Sequence, residues 1–227
     1  MHQWVLDTKS SLEPLANADN AEQMSAYLRN QFQFYGIKSG ERRAALKSLF
    51  TQSEIPPLDD LPKIIIELWC LPEREYQMVA VDLLIKLKNK LPITMATLVE
   101  RCIVTKSWWD TVDMLATHIA GALYQRYPEE FDAHLERWRY SDNLWLRRTT
   151  LLYQLKYKQN TDANRLFDII MHNNDNADFF IQKAIGWCLR EYSKTDPDRV
   201  IEFLDSHPIE GLARREALKW LAKQGHK

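Results

Sequence analysis

Glycine is scarce in this chain, with 6 among 227 residues, and the 9 prolines fall mostly between stretches of periodic apolar residues. A sheet-rich domain needs turn residues at short intervals, and they are missing here. No segment alternates apolar and polar residues over a sustained run, so no sheet is expected. Long apolar runs are missing too. Ile64-Ile65-Ile66 is among the longest and is far too short to cross a bilayer, so no membrane partner is expected. The N-terminus, Met1-His2-Gln3-Trp4-Val5-Leu6-Asp7, has no cationic segment followed by an apolar stretch. No secretory leader is expected, and the expected compartment is the cytoplasm. Cysteine is limited to Cys70, Cys102 and Cys188, an odd number at wide spacing. They are read as reduced core residues rather than as disulfides or metal ligands. His2, His118, His134, His172, His207 and His226 show no HExxH or paired metal spacing, so no metal is expected and they are read as surface or packing residues. A Gly-rich phosphate loop and a GxSxG elbow are also missing.

An excess of positive charge is the remaining absence. The formal net charge is -1. Taken alone this argues against a nucleic-acid binder, because phosphates are neutralised by Lys and Arg. The charge is uneven, however. From Arg137 to Lys194 ten Lys and Arg stand against six Asp and Glu, a local net charge of +4. A nearly neutral chain can still present one basic face.

What is present is 45% hydrophobic and 27% charged residues, with helix formers filling the intervals between prolines. About a dozen helices are predicted: Trp4–Leu15, Ala21–Phe34, Glu41–Thr51, Leu61–Leu71, Glu73–Lys90, Ile93–Val104, Ser107–Tyr127, Glu129–Arg139, Asn143–Lys158, Asp162–His172, Asp178–Tyr192, Pro197–Asp205 and Gly211–Lys223. Ser39 is the expected cap of the third. Links are short, so consecutive helices should be antiparallel neighbours in a single domain over residues 1–227. Trp69, Trp138 and Trp220 are the expected core tryptophans.

One regularity bears on architecture. Met78, Asp113, Arg148 and Lys183 are spaced 35 residues apart, and Asp82, Thr117, Leu152 and Trp187 repeat the ladder four positions on. That period suits a helix–turn–helix repeat. Stacked repeats of this kind present ladder positions on an extended concave surface. Trp109 and Asp113 are i and i+4; Lys183, Trp187 and Arg190 are i, i+4 and i+7. Two indoles, one carboxylate and several cations are therefore expected to converge. Asp113 should be exposed, close to both Trp109 and Trp187. A carboxylate between aromatic faces suits a cationic, electron-poor group or an oxocarbenium-like transition state. Arg and Lys around it suit phosphates.

Three long segments carry these residues: Lys106-Ser107-Trp108-Trp109-Asp110-Thr111-Val112-Asp113, Asp142-Asn143-Leu144-Trp145-Leu146-Arg147-Arg148, and the stretch from Phe179 to Tyr192. Together with Tyr35-Gly36-Ile37, Glu41-Arg42-Arg43 and Glu67-Leu68-Trp69, they resemble the AlkD family of DNA alkylation repair glycosylases over essentially the whole chain. The resemblance implies an all-α, right-handed superhelical solenoid of about six HEAT-like antiparallel helix pairs. It implies hydrolysis of the N-glycosidic bond of cationic N3- or N7-alkylated purines in duplex DNA, without a base-flipping pocket and without a cofactor. Asp113 would stabilise the oxocarbenium ion and place the water. Trp109 and Trp187 would cradle the deoxyribose, and Arg148 would hold the neighbouring phosphate. Tyr27, Lys38, Ser39, Arg43, Lys106, Trp108, Arg147, Lys156, Lys183 and Arg190 would contact DNA. The partner is then double-stranded DNA containing alkylated purines, and a monomer is expected. Two alternatives stay open: a non-catalytic helical-repeat scaffold that binds DNA by shape, and a protein–protein adaptor.

Overall fold

A computed structural model describes residues 1–225; His226 lies outside them. Among the described residues there are fourteen α-helical segments, three short 3-10 turns and one π-helical segment. The only pairing of extended backbone among them is an isolated bridge between Gln33 and Glu73. The all-α expectation therefore holds. Met1–Leu91 form one compact unit, and the residues from Pro92 onward form a second.

The first unit holds α1 (Gln3–Leu12), α2 (Ala18–Tyr27), α3 (Ser39–Ala45), α4 (Leu61–Cys70) and α5 (Arg74–Leu87). Leu61, Ile64, Ile65 and Leu68 recur at helical spacing on α4 and are fully buried. That stripe packs α4 against α1 and α5. Asn17 caps α2 by accepting from Asn20 N, so the helix starts at Ala18 rather than Ala21. Ser39 is not a cap as expected. It is the first residue of α3, and no side chain caps that helix. The turn before α3 is tied down from below: the buried Glu75 carboxylate accepts from the backbone N–H groups of Tyr35, Gly36 and Ile37 at 3.1, 2.9 and 3.1 Å. Gly36 has φ +88°, and a Cβ there would meet Asn17 O at 2.1 Å, so only glycine fits.

The second unit holds α6 (Met95–Val104), α7 (Trp109–Met114), the π-helical segment Leu115–Ala120, α8 (Gly121–Arg126), α9 (Pro128–Arg139), α10 (Leu144–Leu152), α11 (Ala163–Asn173), α12 (Phe179–Tyr192), α13 (Pro197–Ser206) and α14 (Gly211–Lys223). Asn143, Asp162, Asp178 and Asp196 cap α10 to α13 with their own side chains. Each such cap contributes roughly 1 kcal/mol. α10 is the hub: it packs against α6, α7, the π-helical segment, α9, α11 and α12. The predicted helix Ser107–Tyr127 is one continuous run from Trp109 to Arg126, widened in its middle by the π-helical turn. Beside that turn, Gly121 has no room for a side chain, since a Cβ would lie 2.5 Å from Tyr153 O. Tyr157 donates its hydroxyl to Gly121 O at 2.6 Å, which ties the segment after α10 to the same point.

Cys102 and Cys188 are buried as expected, and burial pushes both thiols up to about 12, which leaves them unreactive. Cys70 is exposed, contrary to expectation, because the last residue of α4 falls off the Leu61–Leu68 stripe. Trp69 and Trp138 are core residues, and Trp4 joins them. Trp220 is only half-buried, a second correction.

Candidate active site

The chain enters α7 through a sharp turn. Lys106 adopts φ +48°, in the left-handed region, and Ser107 Oγ donates back to Ile103 O at 2.6 Å. Trp108 follows at the cap position of α7 and packs against Trp145 and Phe180, with ring centroids 5.7 and 5.2 Å apart. Trp145 and Phe180 lie 5.0 Å apart. These three rings come from the first residues or caps of α7, α10 and α12, so they gather three helix N-termini. Asp113, Arg148 and Lys183 stand three to five residues further along these helices.

Asp113 and Arg148 meet as the ladder predicts. Arg148 Nε donates to Asp113 Oδ1 at 2.7 Å and Nη2 donates to Oδ2 at 2.9 Å, a bidentate pair. Arg148 Nη1 donates to the backbone oxygen of Phe180. Thr117 Oγ1, in the π-helical turn, donates to Asp113 O at 2.7 Å. The Asp113 side chain is 14% exposed and that of Arg148 5%. Asp113 is thus more covered than expected, because the guanidinium lies over it. Burial pushes the Asp113 carboxyl above its ordinary value, and the hydrogen bonds and charge of Arg148 limit the rise. Trp109, one turn before Asp113, and Trp187 on α12 are both half-buried, so neither indole is a core residue.

The remaining predicted contacts divide. Trp108 is half-buried; its ring packs in the aromatic cluster and its indole N–H is buried. Arg147 is turned toward α11, where Nε donates to Asn173 Oδ1 at 2.9 Å. Lys106 is half-buried in the turn before α7. Lys156 is exposed and donates to His118 Nε2 at 2.7 Å. In the first unit Tyr27, Lys38, Ser39 and Arg43 are all exposed, and Arg43 Nη2 pairs with Asp82 Oδ1 at 3.0 Å. Lys183 and Arg190 reach neither Asp113 nor Arg148 in their ion pairs; both bind Glu216 of α14, a residue the sequence reading passed over. Among the described histidines, His172 packs on Tyr140 and His207 stacks on Phe203. Among the described residues no group of His, Cys, Asp and Glu could hold a metal ion. No helix among them is long and apolar enough to cross a membrane.

The site is one carboxylate locked by an arginine, with the half-buried Trp109 one helical turn before it on the same helix. Such a group can stabilise positive charge that develops beside it. Comparison with known proteins gives this chemistry a context. The chain resembles a solved structure described as a predicted DNA alkylation repair enzyme from Enterococcus faecalis, at 36% identity and a TM-score of 0.84, over 91% of this chain and 97% of that one. No curated protein matches. The family model for DNA alkylation repair enzymes matches residues 8–221, and the chain belongs to that family.

Proposed function

We propose that the protein is a monofunctional DNA glycosylase that hydrolyses the N-glycosidic bond of cationic N3- or N7-alkylated purines in duplex DNA. The observation that carries this reading is Asp113: a largely covered carboxylate, gripped in two-point geometry, with a half-buried indole one helical turn before it. An alkylated purine already bears the positive charge that activates it for departure. As the bond to C1′ breaks, its electron pair goes to the purine and neutralises it. Positive charge then moves to the sugar. Desolvation makes the Asp113 carboxylate a stronger partner for that charge than it would be in water. A water held by the carboxylate adds to C1′ and loses a proton, leaving a free base and an abasic deoxyribose.

Arg148 acts here as a positioning residue. Its donors are engaged by Asp113 and Phe180, and its side chain has little open surface for a phosphate. Trp109 and Trp187 offer their faces to the sugar. A base-flipping pocket is not part of the reading. The cavity of about 190 Å³ in the second unit is lined by Gln154, Cys188, Tyr192 and their neighbours, and by none of Trp109, Asp113, Arg148 or Trp187.

The test is release of 7-methylguanine or 3-methyladenine from a methylated duplex, followed by chromatography. Release well above the spontaneous rate is expected. Salt-dependent binding to the same duplex with no release would point instead to a DNA-shape-binding scaffold.

A further inference from the structure

Glu216 lies on α14, and its side chain is 7% exposed. A carboxylate at that depth needs compensation. One cation would neutralise it, yet three surround it. Lys183 Nζ and Lys219 Nζ donate to Oε1 at 2.8 and 2.6 Å, and Arg190 Nη1 donates to Oε2 at 2.6 Å. The cations themselves are more open, at 37%, 55% and 27% for Lys183, Lys219 and Arg190. The patch keeps a net charge of +2. A structural ion pair does not require this crowding of like charges, which an anion from outside would relieve.

Packing holds the patch in register with the candidate active site. Gly186 sits on α12 between Lys183 and Arg190, where a Cβ would lie 2.4 Å from Glu216 Cβ and 2.6 Å from Ala213 O. α14 is therefore pressed onto α12 at the level of the two cations. Trp187 stands on the same face of α12, four residues after Lys183. Burial pushes the Glu216 carboxyl up, but the hydrogen bonds and charges of Lys183 and Lys219 together bring it down to about 2. It is ionised throughout the neutral range and can act as a fixed anchor.

We propose that Glu216 is a positioning residue that sets Lys183, Arg190 and Lys219 as one phosphate-binding subsite for the DNA backbone, with Lys219 as its third cation. The proposal rests on the glycosylase reading, since it assumes a DNA substrate. An ammonium or guanidinium carries more donors than one carboxylate oxygen uses, so donors remain for phosphate oxygens.

The experiment measures binding of a fluorescent undamaged duplex to the whole chain from about 50 to about 200 mM salt. Lys219→Gln lowers the slope of log affinity against log salt by about 0.9, the contribution of one phosphate. Lys219 is more than half exposed, so this variant keeps the fold. Glu216→Gln, with its thermal midpoint measured alongside, weakens binding a few-fold although it removes a negative charge. A purely electrostatic bystander would instead bind more tightly on that substitution. An unchanged slope for Lys219→Gln, or tighter binding by Glu216→Gln, overturns the subsite. If Glu216→Gln does not fold, the Lys219→Gln slope decides alone. Wild-type protein with no salt-dependent binding would overturn the glycosylase reading itself, before any variant is compared.

Discussion

Replacing Arg148 by Met removes a cation but keeps much of its stem. The loss falls on Asp113, whose carboxylate is 14% exposed even with the guanidinium in place and loses its cationic partner. Breaking a buried pair in this way costs about 3–5 kcal/mol. The residual exposure of Asp113 places the expected cost near the lower end, about 3 kcal/mol. The Phe180 carbonyl also loses its donor, which adds about 1 kcal/mol. For a chain of this length each kcal/mol lowers the thermal midpoint by about 2–4 °C, so a fall of roughly 8–16 °C is expected. Adding Asp113→Asn to Arg148→Met removes the orphaned charge and should recover about half of the loss. Urea unfolding of wild type, both single variants and the double variant completes the cycle. The pH dependence supplies an independent sign. In Arg148→Met the Asp113 carboxyl is held still further above its ordinary value, so the folded state binds a proton more readily than the unfolded chain. The stability of that variant should therefore rise, relative to wild type, as pH falls through the folded value toward the unfolded one. Additive single costs, within about 0.5 kcal/mol, would show that the pair is not the energetic unit described here.

Further outcomes are expected elsewhere. Gly186→Val forces α12 and α14 apart at Glu216, and overpacking of this kind costs about 1–3 kcal/mol; an unchanged thermal midpoint would contradict the close approach. Glu216 is held down to about 2, so its contribution is fully present above its unfolded value and is lost as pH falls from there toward the folded value. The Glu216→Gln variant should lack up to about 3 kcal/mol of acid-dependent stability in that window, measured by denaturant titration. Because the Asp113 carboxyl is raised, base release should decline as pH falls through a value above that of an ordinary aspartate, and an acid limb at the ordinary value would refute the desolvation.

Much of the fold was legible because local signals agree with the packing. Asn143, Asp162 and Asp178 stand directly before periodic runs, and all three cap helices. Leu61, Ile64, Ile65 and Leu68 show their buried face in their spacing alone. The Asp113–Arg148 pair was readable from the 35-residue period, since repeat register brings equivalent helix positions together. What was not legible depends on tertiary contact. The π-helical turn after Asp113 has no sequence signature; it lies where Gly121 meets Tyr153 and Tyr157. Asn17 precedes α2 without a hydrophobic start to mark it, so the helix was placed three residues late. Glu216 was missed because one carboxylate among the cations of α14 looks like a solvated face. Only the approach of α14 to Gly186 shows which cations it holds. The packing of Trp108 against Trp145 and Phe180 is likewise tertiary, since tandem tryptophans give no sign of which ring joins an aromatic cluster.

The most direct measurement is single-turnover release of 7-methylguanine from methylated duplex DNA by Asp113→Asn. Asparagine keeps the shape of the side chain and one oxygen to accept from Arg148, while removing the charge. If the carboxylate stabilises the developing cation, the rate should fall more than tenfold, about 1.4 kcal/mol or more, with affinity for undamaged duplex little changed. A rate equal to that of wild type would remove Asp113 from the chemistry and with it the account of the site.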